Sequence, residues 1–113
     1  MTDQTSRSEL NRIARRELAR RCREFIETNG PDMFAKYEAA ARERHGDDTS
    51  RVNVMITQLC KEQVRDQHEY LYAEMRAEVR WEHIGQHEEQ QRIQAELAAA
   101  QAAAQVQLED SSR

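Results

Sequence analysis

Apolar residues recur along this chain at spacings of three and four, and the first such run already defines an element. From Leu10 the pattern continues through Ala14, Leu18, Cys22 and Phe25, one stripe at about 100° per residue, which predicts an amphipathic helix over 8–28. Ser6 and Glu9 stand at capping-box spacing before it. Asn29-Gly30 ends it, with Gly30 expected in the left-handed conformation of a helix C-cap, and Pro31 can open the next helix because its missing N–H is not needed there.

A second helix is predicted over 31–45, with Met33, Phe34, Tyr37, Ala40 and Ala41 turned inward and Gly46 as its stop. Asp47-Asp48-Thr49-Ser50 then offers several N-caps for a third helix. Val52, Ile56, Leu59, Cys60, Val64, Leu71, Met75 and Val79 carry that helix over 50–84, with no breaking residue before Gly85. Such a helix is about 50 Å long, whereas a compact chain of this size has a radius of gyration near 13 Å. Its far end needs a partner, and a second copy of the chain is the simplest one.

After Gly85 the chain changes to Gln, Glu and Ala, all good helix formers, so a helical or frayed extension is expected over 85–108. Ile93, Leu97, Ala100 and Ala104 trace a shallow coiled-coil seam within it. Residues 1–7 are expected to be flexible and 109–113 to be a disordered tail. The fold class is therefore all-α: a helical hairpin or three-helix arrangement with a long third helix and an Ala/Gln-rich C-terminal helical extension.

Composition sharpens the need for a partner. Leu, Ile, Val and Phe supply only 18 of 113 residues, below the roughly 20% at which a self-sufficient core becomes doubtful. Charged residues make up 34% of the chain, yet the net charge is only −4, so the charges are interspersed rather than massed as in a disordered acidic tail. There is no basic start followed by an apolar run, and no apolar stretch approaches the roughly 20 residues of a membrane span. A cytoplasmic protein without membrane contact is expected. Cys22 and Cys60 lack metal-ligand spacing and read as small buried hydrophobes.

The candidate chemistry is sparse. His83 and His87 lie one turn apart, a spacing that can hold one metal ion, but Ile84 stands where a zinc-protease helix has its general-base glutamate and no third ligand is at hand. No glycine-rich phosphate loop or nucleophile elbow is legible, so neither catalysis nor a cofactor is expected.

Two features instead point to contact with another macromolecule. Arg12, Arg16, Arg20 and Arg23 form an outward stripe on the first helix, about 16 Å from end to end. Like charges one turn apart repel each other, which hints at an acidic partner. Tyr70, Tyr72 and Trp81 concentrate half of the aromatic residues in one stretch of the third helix, and aromatic groups with polar tips are favoured at interfaces. On an unbroken helix Tyr70 and Trp81 share the side of Val52, so they serve equally as core cover.

Three expectations follow. The chain self-associates, with a dimer favoured, and binds another protein as an adaptor, inhibitor or regulatory subunit. Acidic residues of the last quarter (Glu82, Glu88, Glu89 and Glu96) meet the arginine stripe of a sister subunit. As the alternative, the stripe binds phosphates and the chain is a nucleic-acid-binding regulator. The helix–turn–helix resemblance of the first two helices is weak, since the second begins Pro31-Asp32 and would turn a carboxylate toward phosphates.

Overall fold

In the computed structural model, which describes residues 6–111 and the side chains of 6–108, nearly every residue is helical. The elements are α1 (Arg7–Asn29), α2 (Pro31–His45), α3 (Thr49–Gln67), α4 (Glu69–Arg80), a single π-helical turn (Trp81–Gly85) and α5 (Gln86–Ser111). The fold is all-α, as the periodicity predicts. Of the segments expected to be disordered, residues 1–5, 112 and 113 lie outside the described residues.

α1 opens on Ser6, whose hydroxyl accepts a hydrogen bond from the Glu9 N–H at 3.2 Å. Its buried row is Ala14, Leu18, Cys22 and Ile26, and that of α3 is Val52, Ile56, Cys60 and Val64. Both rows repeat every four residues, the ridge pattern that interlocks in globular helix pairs. Cys22 and Cys60, both fully buried, occupy the third position of their rows. α2 lies antiparallel to α3, with the Tyr37 hydroxyl donating to Gln63 Oε1 at 3.2 Å. Of the inward face expected for α2, only Ala41 is fully buried. Phe34 and Tyr37 are half-buried, while Met33 and Ala40 are exposed.

The long third helix is broken. His68 takes φ −135° and ψ 56°, ending α3 through its N–H on the Val64 carbonyl and starting α4 through its carbonyl on the Tyr72 N–H, both at 2.8 Å. Gly30, between α1 and α2, has almost the same backbone, φ −137° and ψ 59°, and not the left-handed conformation expected of it. The positive φ falls at Gly46 (φ 59°, ψ −123°), the geometry of the first central position of a type II′ turn. The His45 carbonyl accepts from the Asp48 N–H at 3.1 Å across that turn, and Asp48 then caps α3 through the Arg51 N–H.

The break at His68 lets α4 fold back along α1, so the overhang expected of the third helix is relieved within the chain. Phe25 marks the joint, its ring edge-on to the His68 imidazole with centroids 5.2 Å apart. Gly85, expected to end a helix, does not interrupt this one. Val79 and Ile84, both buried, are five residues apart and would diverge by about 140° on an α-helix. The π-turn inserts the extra residue that brings both to the core.

From Glu69 the backbone therefore runs helically to Ser111, and the overhang moves to its end. α5 is about 39 Å long at about 1.5 Å per residue. The molecule measures 80 × 31 × 17 Å with a radius of gyration of 22.5 Å. It is an extended shape rather than a compact bundle: a body of α1–α4 with α5 as a projecting arm. No helix of the described residues is long and apolar enough to cross a membrane.

Candidate interaction surfaces

The arginine stripe of α1 divides in two. Arg20 is held on its own helix by Glu17 at 2.8 Å and Glu24 at 2.7 Å. Arg23 turns toward the body, donating to Thr57 Oγ1 at 3.2 Å and stacking over Phe34 with 5.5 Å to the ring centroid, while Glu27 lies 3.8 Å away. Arg12 and Arg16 are exposed and have no ion-pair partner among the described residues.

The contact between α1 and the rod Glu69–Ser111 has two flanks of different character. On one, Arg21 meets Glu82 at 2.5 Å and Glu78 at 3.6 Å, and Arg7 meets Glu88 at 2.6 Å. These pairings run in opposite chain directions, so the rod lies antiparallel to α1. Arg21 also binds Glu17 at 2.9 Å. Hydrogen bonds from Arg20 and Arg21 outweigh desolvation and hold the Glu17 carboxyl down at about 2 from its ordinary 4.5. The groove of about 430 Å³ on this flank mixes Arg20 and Arg21 with Glu24, Glu74 and Glu78.

On the other flank, Arg15 of α1 faces Arg76 and Arg80 of α4 across a groove of about 340 Å³. Leu18, Val79 and Ile84 form its floor, Ala14 and Asn11 complete it, and among the described residues no carboxylate lines it. None of the three guanidinium groups has an ion-pair partner among the described residues. Arg15 makes one long hydrogen bond, 3.5 Å to the Asn11 carbonyl. The stripe of four expected from α1 alone missed this site because it is built by two helices. A signal was present in the Arg76–Arg80 pair, which repeats the one-turn spacing of Arg12 and Arg16.

The carboxylates expected to meet a sister subunit's stripe are engaged within their own chain: Glu82 with Arg21, Glu88 with Arg7, and Glu89 and Glu96 with Arg92. The pairing expected across subunits thereby loses its free acidic side.

The three aromatic candidates are separated. Tyr70 is 81% exposed and Trp81 53% exposed, whereas Tyr72 packs against the core. Sharing a side with Val52 required an unbroken helix, and the break at His68 shifts the phase. The Trp81 indole lies over Gly85, where an added Cβ would come within 2.4 Å of the ring. His83, within the π-turn, and His87, just after it, are half-buried, and the described residues contain no group of three or more metal-ligating side chains. The Cys22 and Cys60 thiols are both pushed up by burial, Cys60 to about 11, so neither is poised as a nucleophile.

The arm offers another surface. Ile93, Leu97 and Val106 are 43%, 57% and 56% exposed. Past its first turn, where Glu88 meets Arg7 of α1, α5 packs on no other helix among the described residues. Comparison with protein-family models, curated proteins and solved structures finds no match to this chain.

Proposed function

We propose that this is a non-enzymatic, self-associating helical protein that binds another protein, as an adaptor, inhibitor or regulatory subunit, in the cytoplasm. The observation that carries the reading is the arm: a long helix whose larger apolar side chains face solvent along a length that, past its first turn, no other helix among the described residues packs on. Most helical stability in proteins comes from packing an apolar face rather than from propensity. A second copy of α5 supplies that packing. Ile93 and Leu97 stand toward one end of the seam and Ala100 and Ala104 toward the other, so an antiparallel pair sets large residues against small ones and closes as a two-fold dimer.

The nucleic-acid reading retains one specific observation, the unpaired Arg12 and Arg16. Arg20 and Arg23 are already occupied, and two phosphate contacts give a salt slope of only about −2. Light scattering of the purified chain, with its absorbance ratio at 260 and 280 nm, separates the two readings. A dimer free of nucleic acid is expected. Salt-released nucleic acid copurifying with the chain would favour the alternative.

A further inference from the structure

We infer that the groove between Arg15, Arg76 and Arg80 is a docking site for an acidic amphipathic helix of a partner protein. The inference rests on the protein-binding reading and adds to it a site and a ligand chemistry. Three guanidinium groups from two helices surround one small concavity with no carboxylate among its described lining residues. They repel one another, while on the opposite flank Arg7 and Arg21 of α1 are balanced by Glu78, Glu82 and Glu88 of the rod. An anionic ligand supplies the missing charge, and the planar fork of arginine matches a carboxylate in two hydrogen bonds.

The floor decides which anion fits. Leu18, Val79 and Ile84 make it apolar, which rewards a ligand presenting an apolar side chain between its acidic groups. A phosphate backbone has no such group, and the chain's net charge of −4 opposes a long polyanion. The groove follows α1 from Asn11 to Leu18, about 10 Å, or two turns of a docked helix. Carboxylates three and four residues from a central leucine would flank that leucine at the spacing of helical neighbours.

The test is fluorescence anisotropy with a fluorescein-labelled helical peptide that carries one leucine flanked by glutamates, titrated with the full-length chain. Binding is expected, with a loss of ~10-fold or more in affinity for the Arg76→Glu/Arg80→Glu double variant. Arg44→Glu/Arg42→Glu, the same charge change at the far end of α2, is expected to shift affinity less than ~2-fold, as screening at that distance requires. Replacing the peptide's leucine with serine weakens binding if the floor is used. Leu97→Glu in the arm leaves peptide affinity unchanged, so failure of self-association and failure of the groove are read separately. Absence of binding, equal losses in the two charge-reversal variants, equal affinity for the serine peptide, or tighter binding of a duplex DNA probe at the same three arginines would each overturn the inference.

Discussion

The body and the arm use the same secondary structure under opposite conditions. In α3, one row of Val52, Ile56, Cys60 and Val64 is closed over by α1 and α2, and those side chains are 0–7% exposed. In α5, Ile93, Leu97 and Val106 recur on a stretch of helix with no packed neighbour among the described residues, and about half of each remains in solvent. The difference lies in composition. α3 supplies large apolar groups at every turn, whereas Ala and Gln dominate α5 and favour the helical state without giving it a face to bury. A helix can thus be specified locally and still lack an internal reason to be straight, long and projecting.

Truncation of side chains exposes that contrast most strongly. Ile56→Ala is expected to cost the body about 2–5 kcal/mol, because the cavity left by a fully packed residue relaxes only in part. Leu97→Ala is expected to change the unfolding free energy of the monomeric chain by less than about 0.5 kcal/mol. Urea denaturation at low protein concentration checks both, and comparable losses would mean that the arm packs as the body does.

The turns inside the body give the next largest effect. Gly46 has a positive φ and open space around it, so Gly46→Ala should cost about 1 kcal/mol through backbone conformation alone. Gly30, at negative φ and with only ordinary contacts awaiting a Cβ, should tolerate alanine with a smaller change. Thermal melts of the two variants rank the turns directly.

The smallest effect concerns the ion-paired flank that fastens α1 to the rod. Glu17 is held at about 2, first by the Arg20 hydrogen bond, so its contribution is fully present above the ordinary 4.5 and disappears as the pH falls through about 2. The melting temperature of the native chain should therefore exceed that of Glu17→Gln by a constant margin above pH 5, and the margin should shrink in acid. A margin independent of pH would remove the carboxylate from the account.

Periodicity gave away what a single helix decides for itself. The α3 row, the Ala14, Leu18 and Cys22 positions of the α1 row, the Ser6 cap, a cap within 47–50 and the boundary at Gly30-Pro31 were legible, since each depends on residues within a turn or two; the buried Ile26, in place of the half-buried Phe25, was not. The break at His68 was not, because histidine carries no strong breaking signal. The warning was the interval between Val64 and Leu71, where positions 67 and 68, Gln and His, bring no apolar side chain to the stripe. The π-turn was hidden similarly: the five-residue step from Val79 to Ile84 becomes meaningful only when both are seen in the core. Of the arginine stripe, the sequence could not foresee that Arg23 would turn onto Phe34 or that Arg15 would meet Arg76 and Arg80. Those placements depend on which helix folds back against which.

The arm is proposed as the assembly element. Sedimentation equilibrium of the full-length chain, beside Ile93→Glu and Leu97→Glu, addresses it most directly. The predicted result is twice the chain mass of 13.3 kDa for the native protein, falling to the chain mass in both variants with helix content of the body retained. A native protein at the mass of one chain over the whole concentration range would contradict it.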